Sequence, residues 1–477
     1  MSKKNSESNN KKQPGPARNI AKIPQELKDL FGFSAACSCG KVHSVELKGA
    51  SIRPGAIDEL VDWARQLGLG RTVCIVVDRK TRQLAGERVK KLLDKDGFKT
   101  SLCVVPDGKG NRPHADQAGL AYVEAALGGV DFAVAVGSGT LNDLTKLASF
   151  RKNIPYLVVA TAPSMNGYTS AIAAVMLQGV KRTLDCHQPL AVIADLDIIT
   201  RAPAELIAAG LGDLESKPTA TADYRLSGAI RNDYYCAAPE QVVLQAEAKV
   251  AEAAADIGMR DPPAIALLTE ALLLSGISMK LAGVSSPASG GEHLISHFWD
   301  MSAADEGRVE GWHGAQVGVA TIVTATLYEQ LGKLNPASIN IDQLVAKSPG
   351  LDEIEARIKS RHATRAEEVF KEYKKKHLEP KQLRRELGTI VDGWDDLWAE
   401  IGQSLRPGAK VRSILAAARA PVSVSQLGLS PGHLRRAFVA AREIRGRYTV
   451  LDLAADLQIL DTAGEAVLQA SGCLAEG

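Results

Sequence analysis

The sequence predicts an α/β N-terminal domain built on a parallel sheet, followed by an all-α C-terminal domain. In the first half, short runs of β-branched residues alternate with longer stretches of helical spacing, which is typical of a parallel sheet covered by helices. After about residue 200, segments rich in Ala, Leu and Glu dominate. A chain of 477 residues is too long for one ordinary core, so we expect a tail at 1–22 and domains at 23–200 and 201–477.

The individual elements follow from the spacing of apolar residues. Strands are predicted at 72–77, 101–105, 132–136 and 156–160, with helices at 81–94 and 116–127 between them. In the second half, helices are predicted at 202–209, 240–257, 262–282 and 315–330. The segment 348–400 is highly charged and predicts helices that face solvent.

Charge and cysteine content exclude several classes of protein. The formal net charge is only +2, so we expect no nucleic-acid partner, and the apolar runs are too short and interrupted to predict a membrane span. The first twenty residues are polar and basic, which favours a disordered tail over a signal peptide. Seven scattered cysteines suit reduced thiols, so we expect a cytoplasmic protein.

A small-residue turn after the strand at 132–136 is the first candidate site. Gly137, Ser138, Gly139 and Thr140 lead from that strand into a helix, where glycines let a backbone approach a pyrophosphate and the helix N-terminus attracts anions. The alternative is a plain tight turn with Thr140 as a helix cap. Asp78, at the end of the strand at 72–77, is placed to bind an adenosine ribose or is an ordinary exposed carboxylate.

Candidate metal ligands lie in the second half. Asp213 follows two glycines, and three of the nine histidines fall between positions 293 and 313. His293 and His297 share one helix face, and His313 is far enough along the chain to return on an adjacent helix. One carboxylate with two imidazoles suits Zn²⁺, Ni²⁺ or Fe²⁺ and leaves positions open for substrate oxygens.

A second group of possible ligands occurs near the N-terminus, where Cys37, Cys39 and His43 lie close together. A Cys-x-Cys pair is a poor chelating spacing, and no second cysteine pair follows it. We therefore do not predict a zinc knuckle from this segment.

Taken together, the motifs resemble the iron-containing alcohol dehydrogenase and dehydroquinate-synthase superfamily, and within it the bacterial sn-glycerol-1-phosphate dehydrogenase family. The resemblance spans roughly residues 45 to 457. It is carried by GSGTLND (137–143), TAPSMNGYTS (161–170), AVIADLDII (191–199), AGLGDLESKPTATADYRLS (209–227), SSPASGGEHLISH (285–297), HGAQVG (313–318) and RGRYTVLDLAADL (445–457).

The resemblance implies a dehydroquinate-synthase-like fold, with a nucleotide-binding first domain and a helical domain that holds metal and substrate. Residue by residue, it gives Asp213, His293 and His313 as ligands of one divalent metal ion. The same matching assigns eight residues to the cofactor. Those in the turn and the helix after it are Gly137, Ser138, Gly139, Thr140 and Asp143, and those further along the chain are Thr161, Ser164 and Thr169. Two departures occur: Asn166 replaces an expected Asp, and SGGEH replaces SGSEH.

The implied reaction is the reversible reduction of dihydroxyacetone phosphate to sn-glycerol 1-phosphate, with NAD or NADP as cofactor. We expect Asn166 beside the substrate. His297 is a candidate proton donor or phosphate partner, or else it packs behind the metal ligands. Lys217 is a candidate phosphate partner or, as we favour, an ordinary helix lysine. Asp78 would repel a 2′-phosphate, which favours NAD, although Arg79 and Lys80 could pair with that phosphate.

Several alternatives remain open at the level of sequence. The enzyme could act on another polyol or sugar phosphate, or could be a dehydroquinate-synthase-like lyase or cyclase that uses NAD transiently. A nucleic-acid-binding or scaffolding protein is a further class, prompted by the Lys-rich tail and the charged segment. As partners we expect a small polyol phosphate and a second copy of the chain in a dimer.

Overall fold

A six-stranded parallel sheet forms the centre of the first half of the chain. The computed structural model describes residues 22–475 except the Ala304 side chain, so nearly all of the predicted tail at 1–22 lies outside the described residues. The sheet has the order β3–β10–β7–β6–β4–β5, and every neighbouring pair is parallel. Its strands are β3 (Gly49–Arg53), β4 (Thr72–Val77), β5 (Lys99–Val104), β6 (Phe132–Gly137), β7 (Tyr156–Ala160) and β10 (Ala191–Asp195).

Two small antiparallel hairpins flank this sheet. The first joins β1 (Ser34–Ala36) to β2 (Val42–Ser44), and the second joins β8 (Ile172–Leu177) to β9 (Val180–Asp185). The second hairpin is inserted between β7 and β10 and turns at Gln178 and Gly179, which both have positive φ. Positive φ at both central residues matches the right-handed twist of the paired strands.

Both faces of the central sheet are buried, and successive residues of each strand point to opposite faces. In β4, Val73, Ile75 and Val77 pack in one apolar cluster, with the helices on that side of the sheet. Cys74 and Val76 point the other way, into a larger cluster that continues through the helical half as far as Cys473. The sheet and the helices therefore share one core.

The sheet half contains six α-helices. These are α1 (Leu60–Gln66), α2 (Arg79–Thr81), α3 (Glu87–Lys95), α4 (Gln117–Ala126), α5 (Gly139–Lys152) and α6 (Leu196–Ile199). A one-turn π-helix at Arg82–Gly86 connects α2 to α3.

The rest of the described chain is helical, with no strand between residues 196 and 475. The helices are α7 (Ala204–Leu214), α8 (Lys217–Arg231), α9 (Ala237–Glu252), α10 (Ala254–Gly258), α11 (Pro262–Ala282), α12 (Gly291–Asp305), α13 (His313–Gly332), α14 (Ile341–Lys347), α15 (Leu351–His362), α16 (Ala366–Tyr373), α17 (Pro380–Asp392), α18 (Trp394–Ile401), α19 (Gly408–Ala417), α20 (Pro431–Ala440), α21 (Val450–Asp456), α22 (Ile459–Thr462) and α23 (Gly464–Ser471). The predicted fold class, a parallel α/β half followed by helices, is confirmed.

Helix α11 is apolar along its whole length. Among the described residues it is the one helix long and apolar enough to cross a membrane by length and composition, and 78% of its most apolar window is buried inside the protein. Asp261 accepts a hydrogen bond from the Ala264 amide at its start, and Gly283 ends it with positive φ. A buried core helix passes the same test of length and composition.

Candidate active site

One cavity of about 330 Å³ lies where the carboxyl ends of β6 and β7 meet the helical half. In open parallel sheets, ligands bind beyond the carboxyl ends of the strands. The loop after β7, the hairpin β8–β9, the segment 112–116, the loop before α12 and residues of α12 and α13 also line it. The predicted site residues on this wall are Ser138, Gly139, Thr140, Asp143, Ser164, Asn166, His293, His297 and His313.

The turn from β6 to α5 presents a helix N-terminus to the cavity. Ser138 is the N-cap residue of α5, and its side chain makes no capping hydrogen bond. At Gly137 a Cβ atom would lie closer than 3.0 Å to Leu141 Cδ1, so only glycine allows the helix to pack this tightly on the strand. The exposed amides and the positive end of the helix dipole suit a phosphate group.

Contact between α7 and α13 brings distant parts of the sequence together. A Cβ at Gly314 would lie closer than 3.0 Å to the Ala209 carbonyl, and one at Gly212 would also lie closer than 3.0 Å to the Gly314 carbonyl. The glycines of both helices therefore allow backbone-to-backbone contact, which places Asp213 beside His313.

Asp213, His293 and His313 each offer one ligand atom, and these atoms lie within 4.8 Å of one another. His293 Nε2 is 3.5 Å from Asp213 Oδ1, and the two imidazole centroids are 5.3 Å apart. One carboxylate oxygen and two imidazole nitrogens converging from three helices form a donor set that fits Zn²⁺, Ni²⁺ or Fe²⁺. Metal binding by these residues stays a prediction.

Hydrogen bonds fix the orientation of both imidazoles. The Glu292 carboxylate accepts a hydrogen bond from His293 Nδ1 at 2.8 Å, which leaves Nε2 facing Asp213. His313 Nδ1 lies 3.2 Å from Ser296 Oγ, whose own proton goes to Gln316 Oε1 at 2.9 Å. Partners of this kind select the tautomer and aim the free nitrogen at a metal.

The Asp213 carboxylate is ionised and held on two sides. Its Oδ1 accepts a hydrogen bond from Lys217 Nζ at 2.9 Å, and its Oδ2 accepts one from the backbone amide of Asn166 at 2.9 Å. Burial alone would raise the pKa of Asp213, but the opposing effects of Lys217 and His293 hold that pKa well below its usual value. The carboxylate therefore carries a full negative charge for a cation.

His297 lies one turn beyond His293 and stacks on His313, with ring centroids 5.5 Å apart. Burial, with Lys181 and His313 nearby, lowers the pKa of His297 well below its usual value, so the ring is neutral. Among the described residues, its Nδ1 has no hydrogen-bond partner. An unpartnered polar atom of this kind beside a cavity is available to a ligand.

The loop at 161–171 is held mainly by hydrogen bonds from α5. Buried Lys146, on α5, donates to the Gly167 carbonyl, to Ser170 Oγ at 3.1 Å and to the Ile172 carbonyl at 2.9 Å. Asn166, which stands where the resemblance leads us to expect an aspartate, donates from Nδ2 to Ser275 Oγ on α11 at 3.2 Å. Its backbone amide, rather than its side chain, contacts Asp213.

Other predicted cofactor residues lie off the cavity wall. Thr169 is fully buried and donates to the Leu273 carbonyl at 2.6 Å, while Thr161 donates its amide to the Gly137 carbonyl at 3.1 Å. Asp78 is the N-cap of α2, and its carboxylate accepts the Thr81 amide at 2.6 Å. These contacts give all three a local structural role, and their assignment to the cofactor stays a prediction.

Of the two interpretations of Lys217, the structure does not support the phosphate partner. All three donors of its ammonium are used, on Asp213 Oδ1, Ser216 Oγ and the Ala288 carbonyl. Lys217 is fully buried and holds the Asp213 carboxylate instead.

Sequence reasoning also missed three residues of the site. Lys181, on the hairpin β8–β9, lines the cavity and pairs with Asp300 of α12 at 2.6 Å. Arg112 lines the cavity with its guanidinium 4.3 Å from the centre of the Trp312 ring. Glu292 was visible as the neighbour of His293 in the motif, but nothing in the sequence marks it as buried.

Comparison with known proteins places the chain in a family. Residues 51–203 match the family model described as iron-containing alcohol dehydrogenase. Glycerol-1-phosphate dehydrogenase [NAD(P)+] from Halalkalibacterium halodurans is 36% identical over 64% of this chain and 76% of its own length. The protein of that name from Geobacillus stearothermophilus is 29% identical over 90% of this chain and 97% of its own length.

Solved structures with the same fold are more distant in sequence. Glycerol dehydrogenase from Schizosaccharomyces pombe superposes with a TM-score of 0.56 at 15% identity and covers 94% of each chain. A probable glycerol dehydrogenase from Sinorhizobium meliloti 1021 gives 0.55 at 18% identity over 88% of this chain and 98% of its own.

The fold is therefore that of the iron-containing alcohol dehydrogenases and their dehydroquinate-synthase-like relatives. Within that class, the chain belongs to the glycerol-1-phosphate dehydrogenase family.

Proposed function

We propose that the chain catalyses the reversible reduction of dihydroxyacetone phosphate to sn-glycerol 1-phosphate with NADH or NADPH, dependent on a divalent metal ion. The observation that carries this proposal is one cavity that joins the Ser138–Gly139–Thr140 turn to the cluster of Asp213, His293 and His313. The names of the relatives support the substrate and the cofactor.

Asp213, His293 and His313 would hold the metal ion. When bound, the nicotinamide supplies the hydride and the metal, as a Lewis acid, stabilises negative charge on the substrate oxygen. Glu292 and Ser296 keep the two imidazoles in the tautomer that ligates through Nε2. The Asn166 amide and Lys217 keep the carboxylate in place, so the donor set is ordered before substrate arrives.

We assign His297 and Lys181 to the substrate. The neutral His297 ring carries one N–H and can donate a hydrogen bond at the substrate hydroxyl or phosphate. Lys181 is held at the cavity wall by Asp300, and a phosphate placed there would share its ammonium. Lys181 takes the place of Lys217, which the sequence offered as one possible phosphate partner beside His297.

The deciding experiment compares oxidants of NADH and NADPH in the metal-loaded enzyme. Dihydroxyacetone phosphate is expected to react with the highest kcat/KM, well above free dihydroxyacetone and larger sugar phosphates. Equal values with and without the phosphate would remove the proposed substrate. No net change in nicotinamide absorbance with any of them would instead favour a lyase or cyclase.

The role of Lys181 is tested by Lys181→Met, with Lys152→Met, a change at the end of α5, as the matched control. A charge-assisted hydrogen bond to phosphate contributes about 1.5–3 kcal/mol, so kcat/KM for dihydroxyacetone phosphate should fall by about 10- to 150-fold. The value for free dihydroxyacetone should stay the same. An equal loss with both substrates would show that Lys181 acts elsewhere than at the phosphate.

Three broader assignments accompany this function. We infer two domains, at 23–200 and 201–477, on the ground of secondary structure, because strands are absent after β10 in the described part of the chain; one apolar cluster nevertheless runs through both. A dimer and a cytoplasmic location remain predictions from the sequence.

A further inference from the structure

We propose that Cys37, Cys39, His43 and Cys236 bind a second metal ion, a structural Zn²⁺ separate from the cavity. Each of the four side chains offers one ligand atom, and these atoms lie within 4.8 Å of one another. The sequence did not indicate this site because Cys236 lies 193 positions after His43, in the connection between α8 and α9.

The distances within the cluster fit a tetrahedral zinc ion. With zinc–sulfur and zinc–nitrogen bonds of about 2.3 and 2.05 Å, tetrahedral geometry puts two sulfurs about 3.8 Å apart and a sulfur and a nitrogen about 3.5 Å apart. Cys37 Sγ and Cys236 Sγ are 3.8 Å apart. His43 Nε2 is 3.5 Å from both Cys39 Sγ and Cys236 Sγ.

His43 is held in the orientation that metal binding requires. The ring is fully buried, and its Nδ1 lies 2.6 Å from the Leu281 carbonyl at the end of α11. Because a carbonyl only accepts, Nδ1 carries the proton and Nε2 is left to ligate. A backbone carbonyl that fixes the tautomer is a usual partner of a zinc-bound histidine.

A tight turn brings the first two cysteines to the same point. The Cys37 amide donates to the Lys41 carbonyl at 3.0 Å, and the Gly40 amide donates to the Cys37 carbonyl at 3.0 Å. Gly40 has φ of +88°, which favours glycine at this position. The turn folds the Cys-x-Cys pair back over itself, so a spacing that is poor in an extended chain becomes suitable here.

Burial raises the pKa of the Cys236 thiol to about 12, so a bound cation, and not the surroundings alone, would keep three thiolates together. Two neighbours of the cluster assist. Cys236 is the N-cap of α9, where the helix dipole stabilises a thiolate. Tyr234 places its hydroxyl 3.4 Å from Cys39 Sγ, and the Lys41 ammonium lies over the Tyr234 ring.

The composition of the site indicates a structural role. Four protein ligands close a tetrahedral site and leave no position for substrate, unlike the three ligands in the cavity. The β1–β2 hairpin has only three residues in each strand, too few to be stable alone. A zinc ion here would tie this hairpin to α9 and to the end of α11.

The test is X-ray absorption at the zinc edge on the full-length enzyme supplied with zinc. We expect a sulfur shell at about 2.3 Å and about one sulfur-bound zinc ion per chain. His293→Ala should lose the cavity metal and keep the sulfur shell, which separates this proposal from the proposed function. Cobalt substitution of the unmutated protein should give a thiolate-to-metal absorption band, so the test does not depend on a variant that folds.

Variants locate the zinc ion. Cys39→Ser and Cys236→Ser should each lose about one equivalent of zinc, whereas Cys103→Ser, in a buried cysteine of β5, should lose none. An enzyme with no sulfur shell would overturn the proposal. So would a cobalt form without the thiolate band, or a sulfur shell that survives in both Cys39→Ser and Cys236→Ser.

Discussion

The Glu292 carboxylate accepts hydrogen bonds from His293 Nδ1 at 2.8 Å and from the Gly290 amide at 2.7 Å. It is fully buried and does not line the cavity, so its effect on chemistry passes through His293. Burial opposes its charge, yet the contact with His293 lowers the pKa of Glu292 below its usual value. A charged carboxylate in this position makes the imidazole a better metal ligand.

Replacing this carboxylate by an amide should therefore weaken metal binding without removing a ligand. We expect Glu292→Gln to lose about 10- to 100-fold in metal affinity, measured by competition with a graded chelator. Glu240→Gln changes another buried glutamate, which pairs with Arg225, and serves as the control. Equal affinities in Glu292→Gln and the unmutated enzyme would contradict the orienting role.

Asp78 is expected to select between the two nicotinamide cofactors. Its carboxylate caps α2, and loss of a cap costs about 0.5–2 kcal/mol, so serine is the better replacement because it also caps. Asp78→Ser should raise kcat/KM with NADPH relative to NADH. As a control, Asp261→Ser changes the cap at the start of α11 and should not change the ratio of the kcat/KM values with NADPH and NADH. If Asp78→Ser also left this ratio unchanged, Asp78 would not lie at the ribose.

Some residues of the site were predictable from the sequence and others were not. Asp213, His293 and His313 lie in motifs that carry a resemblance, and Ser138 follows a strand that its apolar run identifies. The role of Lys217 was left open by the sequence, because its spacing from Asp213 suits both a salt bridge and a free ammonium, and only burial distinguishes them. Cys236 has no local signal at all, because its partners come from the far end of the chain.

At the scale of elements, the crossing of α7 and α13 positions the cavity ligands. The helices touch through Gly212 and Gly314. The short distance between Asp213 and His313 is possible because these glycines have no Cβ atom. An added methyl group at this crossing has no flexible neighbour to displace, because it meets a backbone carbonyl.

Gly314→Ala should accordingly separate the two helices. Overpacking of this kind costs about 1–3 kcal/mol, and we expect a lower midpoint of denaturation together with loss of metal from the cavity. Gly388→Ala is the matched control, because its Cβ would meet nothing within 4 Å. Unaltered metal content and stability in Gly314→Ala would show that the crossing tolerates a side chain.

Four of the six strands of the sheet, β4, β5, β6 and β7, were predicted from the sequence, and the strands β3 and β10 were not. The predicted strands at 72–77 and 156–160 match β4 and β7, since strands buried on both faces read as continuous apolar runs. β3, at the edge, reads Gly-Ala-Ser-Ile-Arg and has no such run. The hairpin β8–β9 was not predicted either: β9 reads Val-Lys-Arg-Thr-Leu-Asp and resembles a loop, whereas β8 reads Ile-Ala-Ala-Val-Met-Leu and was missed although it is apolar.

At the scale of the whole molecule, the two halves supply different parts of the site. The turn at Ser138 belongs to the sheet half, and Asp213, His293 and His313 belong to the helical half. The groups proposed to bind nucleotide and metal therefore have no side chain in common.

Removal of a metal ligand should thus leave nucleotide binding intact. His293→Ala is expected to lose nearly all metal from the cavity and nearly all turnover, while titration with NADH still reports binding of similar affinity. His433→Ala, whose ring lies on α20 beside Glu306, controls for loss of an imidazole. Full metal occupancy of the cavity in His293→Ala would remove His293 from the ligand set.

The shared core also bears on how such an enzyme diverges. One face of the sheet packs into the same apolar cluster as the helices. Exchanging either half for that of a relative would therefore require new side chains throughout their shared interface. The hairpin β8–β9 is different, since it pairs only with itself among the named strands yet supplies Lys181 and Thr183 to the cavity wall. New substrate preferences can therefore arise there by changes of a few residues, leaving the fold that carries the chemistry as it was inherited.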